Sequence, residues 1–190
     1  MIAALVLAAG ASRRYGSPKQ LSTQDGETLV RRTARLALES GCSPVRIVVG
    51  AHAERVGREL EDLQGVDAIH HPGWENGIGS SIATGIQTFY NEPSIRAVVL
   101  LTCDQTALDR IVLSRLIDAF DDVPWRTVAC VYAETVGIPA LFERRWFERL
   151  GELRGDRGAK ALLLEKPDLR REIDWPQGAI DRDRRRDPGG

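Results

Sequence analysis

Five residues near the start of the chain have types and spacing suited to handling phosphate: Gly10, Ser12, Arg14, Gly16 and Lys19. Arg14 and Lys19 carry positive charge and Ser12 offers a hydroxyl. The two glycines allow close approach, so that backbone N–H groups of the loop can point at phosphate oxygens. They follow an unbroken apolar run, Ala3-Ala4-Leu5-Val6-Leu7-Ala8-Ala9, which suits a strand buried on both faces of a parallel sheet. A buried strand feeding a Gly-rich, basic loop can cradle a nucleoside triphosphate. The alternative is a surface turn whose charges serve solubility. Two commoner phosphate motifs are absent: Lys19 lies between Pro18 and Gln20 rather than in Gly-Lys-Ser/Thr, and Gly10 and Gly16 do not fit G-x-G-x-x-G.

A second chemical group stands at the end of another apolar run. Residues 95–102 contain Ala97-Val98-Val99-Leu100-Leu101 and lead into Cys103-Asp104-Gln105. Ligands of open α/β sheets sit beyond the carboxyl ends of the strands. Magnesium favours one or two carboxylates with phosphate oxygens and water. Asp104 is therefore the candidate magnesium ligand, with capping of a following helix at 108–120 as its alternative role. A third group is the loop His70-His71-Pro72-Gly73-Trp74-Glu75-Asn76-Gly77-Ile78-Gly79-Ser80-Ser81. It precedes a predicted helix at 80–90, for which Ser80 or Ser81 is a natural N-cap. Such a terminus can bind phosphate, sugar or a base edge; a capped helix without a ligand is the alternative. His70 and His71 are adjacent and do not converge naturally on one metal ion.

The elements that must position these groups alternate along the chain. Helices are predicted at 28–40, 53–63, 80–90, 108–120, 143–150 and 161–165. Strands are predicted at 45–49, 66–69, 95–102, 127–132 and 169–173, besides the first. Residues 135–142 read as a shaped turn around Gly137 and Pro139, approaching a ligand or another strand. Alternation of this kind predicts a parallel sheet with helices on both faces and right-handed crossovers. At 190 residues one domain is expected, over 1–183, with a disordered Asp- and Arg-rich tail over 184–190.

Composition excludes several classes. Net charge is −1, so a general affinity for nucleic acid or acidic membrane is unsupported. Cys42, Cys103 and Cys130 form no C-x-x-C pair, which disfavours zinc and a disulfide framework. No apolar stretch reaches the ~18 residues of a membrane span. The N-terminus reads as a core strand and not a signal peptide, and a cytoplasmic, reducing location is expected.

Written as Leu7-Ala8-Ala9-Gly10-x-Ser12-x-Arg14-x-Gly16-x-x-Lys19, the first loop resembles the signature of the molybdopterin-guanine and molybdenum-cofactor cytidylyltransferase group of nucleotidyltransferases. Four later segments resemble that group in order: Pro72-x-Trp74-x-x-Gly77-x-x-Ser80-Ser81, Asp104-Gln105, Gly137-Ile138-Pro139-Ala140-Leu141-Phe142 and Gly155-Asp156-Arg157-Gly158-Ala159. The resemblance implies a Rossmann-like three-layer α/β sandwich with a mostly parallel sheet. It implies Mg²⁺-dependent transfer of CMP, or less favourably GMP, from CTP or GTP to molybdenum-bound molybdopterin, with release of pyrophosphate. Alanine at position 9, where the guanylyl branch has a second glycine, favours CTP.

The roles it implies fall on particular residues. Arg14, Lys19 and Asp104 would be catalytic. Leu7, Ala8, Ala9, Gly10, Ala11, Ser12, Arg14, Gly16, Lys19, Gly77, Ser80 and Ser81 would bind the nucleotide. Gly137, Pro139 and Asp156 would face the acceptor, although a plain turn role for Asp156 is the alternative. Asp104, with Asp183 as an open second ligand, would hold the metal. A molybdenum hydroxylase would be the protein partner. The chain departs from the group at Thr106, where proline is usual, and at His71, where asparagine is common. The usual C-terminal Asp-Ile-Asp-Thr-Pro-Glu-Asp survives only as Asp181-Arg182-Asp183-Arg184-Arg185-Arg186-Asp187. These departures keep two other readings open: a non-catalytic cofactor- and nucleotide-binding accessory of a molybdenum hydroxylase, and a transferase for another phosphorylated acceptor.

Overall fold

A computed structural model of the chain describes residues 1–12 and 16–180. Arg14, Asp183 and the tail expected over 184–190 lie outside the described residues. The first apolar run forms β1 (Ile2–Ala8), and a small antiparallel hairpin follows, β2 (Thr23–Gln24) with β3 (Glu27–Thr28). Its turn is Asp25-Gly26, both at positive φ. Helix α1 (Leu29–Glu39) returns the chain to β4 (Val45–Val49), and α2 (Ala53–Arg58) leads to β5 (Val66–His70). Helix α3 (Ile78–Gln87) precedes β6 (Ala97–Thr102), and α4 (Arg110–Asp118) precedes β7 (Thr127–Tyr132). The chain closes with β8 (Thr135–Glu143), α5 (Phe147–Gly151), α6 (Lys160–Glu165) and β9 (Arg170–Asp174).

One seven-stranded sheet takes the order β5-β4-β1-β6-β8-β7-β9. Strands β5, β4, β1 and β6 run parallel, and β9 is parallel to β7; β8 is antiparallel to both its neighbours. The sheet is thus mostly parallel, as expected. Alternate residues of β1 feed two cores. Ala4, Val6 and Ala8 pack with α1, α2 and α4 residues such as Leu29, Val56 and Leu113. Ala3, Leu5 and Leu7 pack with Ile82 and Ile86 of α3, Leu150 of α5 and Leu162 of α6. Helices on both faces explain why β1 and β6 read as unbroken apolar runs. Among the described residues, no helix is long and apolar enough to cross a membrane.

Three differences from the predicted elements bear on the site. Residues 135–142 are not a turn but the body of β8. The register with β7 jumps from Ala129↔Ala140 to Cys130↔Gly137, so Ile138 and Pro139 form a bulge inside the strand. Helix α3 starts at Ile78, with Gly77 as N-cap rather than Ser80 or Ser81. Asp109, not Asp104, caps α4 by accepting a hydrogen bond from the Val112 N–H.

Candidate functional site

The parallel pairing of β1, β4, β5 and β6 brings their carboxyl ends to one edge of the sheet. A cavity of about 220 Å³ opens there, and residues of the β1 loop, the α3 N-terminus and the β6 end line it together. Leu7, Ala9, Gly10, Ser12, Lys19 and Gln20 come from the first, Ile78 and Ser81 from the second, and Thr102, Cys103 and Asp104 from the third. The lining is chemically divided. Leu7, Ala9 and Ile78 are apolar, and Ile78 is exposed although large and aliphatic. Lys19 and Asp104 supply opposite charges, with Nζ of Lys19 3.6 Å from Oδ2 of Asp104. A ligand with an apolar part and a charged part matches such a lining.

The loop that carries Lys19 is held from within. Ser12 has φ +52° and Gly16 φ +73°, so the chain turns through the left-handed region twice. The Lys19 backbone N–H donates to Ser12 Oγ at 3.0 Å. The Ser12 hydroxyl donates to Gln20 Oε1 at 3.3 Å, and Gln20 Nε2 donates to the carbonyls of Ala8 and Gly10. Ala8 takes part through this carbonyl, because its side chain lies in the core on the other face of the sheet.

The N-terminus of α3 is fixed by the 154–158 turn. The Gly79 N–H donates to Gly155 O at 2.8 Å. A Cβ on Gly77, whose φ is +90°, would fall 2.4 Å from the Gly155 backbone and 2.8 Å from Asp156 Oδ1. Asp156 therefore sits against the Gly77 turn, at the foot of the helix that walls the cavity. Ser81 lines that cavity, but Ser80 does not. Ser80 Oγ donates to Gly77 O, and it bonds His71 Nε2 at 2.9 Å; His71 Nδ1 meets Thr84 Oγ1 at 3.1 Å. Ser80, Thr84 and His71 instead line a separate hollow of about 310 Å³ with Asn76, Gln87 and Arg154. Burial, aided by the neighbouring His70, lowers the His71 pKa below its usual value and keeps the imidazole neutral at pH 7.

Pro139 lies in the β8 bulge and Gly137 beside it, paired with Cys130, and neither lines the cavity. They are tied to it through Gln105. Its Nε2 donates to Ile138 O at 2.9 Å, and the Tyr132 hydroxyl donates to the same carbonyl at 2.7 Å. Cys103 lines the cavity as a neutral thiol. Burial, reinforced by Asp104, pushes its pKa up to about 12, so it supplies no thiolate nucleophile at neutral pH. Among the described residues no three His, Cys, Asp or Glu side chains gather to cage a metal. Asp104 is 31% exposed at the cavity wall. A single carboxylate of this kind fits Mg²⁺ that keeps phosphate oxygens and water as its other ligands.

The family profile described as MobA-like NTP transferase domain matches residues 4–170. The chain is 29% identical over 175 residues to the nicotine blue oxidoreductase of Paenarthrobacter nicotinovorans, covering 87% of this chain and 83% of that protein. The crystal structure of Rv0371c from Mycobacterium tuberculosis H37Rv superposes with a TM-score of 0.77 at 29% identity, covering 92% of this chain and 88% of that one. A complex of Rv0371c with manganese gives a TM-score of 0.72 at 27% identity, over 92% and 88% of the two chains. A nucleotidyl transferase from Methanothermobacter thermautotroptrophicus shares the fold, with a TM-score of 0.80 at 20% identity over 97% and 92% of the chains.

Proposed function

The chain belongs to the MobA-like NTP transferase family, and from that membership we propose that it transfers CMP from CTP to the terminal phosphate of molybdenum-bound molybdopterin, releasing pyrophosphate. The observation that carries this reading is the Lys19–Asp104 pair across a cavity whose other wall is apolar. An acceptor phosphate oxygen forms the new bond to the α-phosphorus. The bond from that phosphorus to the bridging oxygen breaks, and pyrophosphate leaves with the electron pair. Phosphoryl-type transfer of this kind asks for position and charge rather than a protein nucleophile. The Lys19 ammonium offsets negative charge growing on the α-phosphate and on the leaving pyrophosphate.

Asp104 would hold Mg²⁺, and the ion would supply positive charge to the phosphate oxygens. The manganese complex of Rv0371c supports a divalent-cation requirement. Arg14 adds a second cation on the strength of the sequence pattern. Ala11 and its neighbours offer backbone N–H groups, and Leu7, Ala9, Gly10 and Ser81 border the base and ribose. Asp156 orients the Gly77 turn, where the acceptor approaches. GTP in place of CTP, another phosphorylated acceptor, and a molybdenum hydroxylase receiving the product are the variants of this reading. The test is pyrophosphate release with each nucleoside triphosphate and Mg²⁺, with and without molybdenum-loaded molybdopterin. Release with CTP that depends on the acceptor supports the reading; no release with any nucleotide, against tight cofactor binding, transfers support to the accessory role.

The similarity to nicotine blue oxidoreductase favours a second reading, an oxidoreductase. The same divided cavity suits a dinucleotide's pyrophosphate and an apolar ring. Oxidation of NADH or NADPH by an electron-accepting dye, with no pyrophosphate from any triphosphate, distinguishes it.

A further inference from the structure

Among the described residues, each of the two charged groups lining the cavity is followed in sequence by a buried glutamine. Lys19 precedes Gln20, 4% exposed, and Asp104 precedes Gln105, 7% exposed. Buried carboxamides are costly unless bonded, and both are bonded to backbone carbonyls of other segments. The Gln20 amide donates to Ala8 O at 2.9 Å and to Gly10 O at 2.6 Å. Carbonyls only accept, so the nitrogen must face them, and Oε1 is left to take the Ser12 hydroxyl. Ser12 in turn accepts the Lys19 backbone N–H. The circuit closes on itself: the end of β1, the left-handed Ser12 and the backbone of Lys19 are pinned by one side chain. Gln105 acts likewise on the opposite wall, gripping Ile138 O in the β8 bulge while accepting from Thr102 Oγ1 at 3.4 Å. The Lys19–Asp104 separation of 3.6 Å lies between these two clamps.

We infer that Gln20 and Gln105 are positioning residues that preset the separation of Lys19 from Asp104 to receive a metal-bound polyphosphate. The inference rests on the transferase reading. A preset site binds more tightly because less ordering remains to be done on binding. The clamps act through the charges they place, which separates them from glutamines that merely stabilise the fold.

The test is a thermodynamic cycle on CTP binding with Mg²⁺, read by titration calorimetry. Gln20→Met keeps the side-chain length and removes the carboxamide; Gln20→Glu keeps the shape and removes the donors. Each is expected to weaken CTP by about tenfold. In a Lys19→Ala background the same changes are expected to have no further effect, because the group being positioned is gone. Gln105→Met is expected to behave the same way against Asp104→Asn. The thermal midpoint of the nucleotide-free variants reports folding separately. Equal losses with and without Lys19 overturn the inference, as does wild-type affinity in folded Gln20→Met. A wild type that binds CTP without releasing pyrophosphate overturns the transferase reading and leaves the cycle decisive. A wild type that binds no nucleoside triphosphate overturns both.

Discussion

Lys19 and Asp104 face each other at 3.6 Å with side chains 13% and 31% exposed. A half-buried pair 3.6 Å apart, too long for a direct hydrogen bond, contributes about 1 kcal/mol to stability, whereas a fixed cation beside a reacting phosphate is worth far more in the transition state. Lys19→Ala is therefore expected to lower kcat for pyrophosphate release by about 100-fold or more, with a thermal midpoint only a few degrees below wild type. Full turnover in the variant would remove Lys19 from the mechanism. His71 lies outside that pair's cavity, bonded to Ser80 and Thr84. Its folded pKa lies below the ordinary 6.5 because burial disfavours the imidazolium. Below pH 6.5 the unfolded chain thus binds a proton that the folded chain refuses. Stability that His71 leaves intact above pH 6.5 is lost as the pH falls toward the lower folded value, by up to about 1.4 kcal/mol per pH unit. Urea denaturation midpoints of wild type and His71→Asn should diverge in slope below pH 6.5, with the wild type falling more steeply. Parallel curves would mean that His71 is protonated in the folded state.

At the scale of elements, the α3 N-terminus and the 154–158 turn behave as one piece. A Cβ at Gly79 would stand 2.8 Å from the Arg154 N and 2.8 Å from the Arg157 O, both backbone atoms that cannot swing aside. Gly79→Ala is expected to cost about 1–3 kcal/mol of stability and to weaken nucleotide binding, as Ser81 and Ile78 shift with the helix. At Gly158 the nearest atom to an added Cβ is Ile78 Cγ2 at 3.6 Å, an ordinary contact. Gly158→Ala should unfold at the wild-type urea concentration, and a loss equal to that of Gly79→Ala would deny the interlock. This same helix shows where sequence stops speaking. Its apolar stripe, Ile82, Ile86 and Phe89, was legible from the 3.6-residue period. Its first turn was not. Beginning at Ile78 instead of Ser80 rotates the two adjacent serines onto different sides, one to the cavity and one to His71. Residue 135–142 was opaque for a different reason. The β7–β8 turn is Ala133-Glu134, both at positive φ without glycine or asparagine, and the glycine and proline that suggested a turn stand inside β8 instead, Pro139 in its bulge and Gly137 paired beside it. Gln20 gave no signal either, since a glutamine after a lysine in a Gly-rich loop looks like one more solvated side chain until the loop closes over it.

At the scale of the whole molecule, the sheet order places β1 between β4 and β6, with both charged loops at the same edge. Apolar runs and alternation made the layers readable, and four of the five ordered motifs marked their loops, the Gly137-to-Phe142 motif being part of β8 instead. What the site receives is a matter of binding, so binding should separate the two functional readings before any acceptor is identified. A ligand that binds only the folded state at 100 times its Kd adds about 2.7 kcal/mol. For a chain of 190 residues, that amounts to a rise of about 5–10 °C in thermal midpoint. CTP with Mg²⁺ is expected to produce this rise, CTP with a chelator much less, and NADPH none. On the transferase reading Asp104 is the carboxylate that would hold the ion, so the Mg²⁺ dependence should vanish in Asp104→Asn. A rise with NADPH that ignores Mg²⁺, and none with any triphosphate, would assign the cavity to a dinucleotide and the chain to reductase chemistry on the same scaffold.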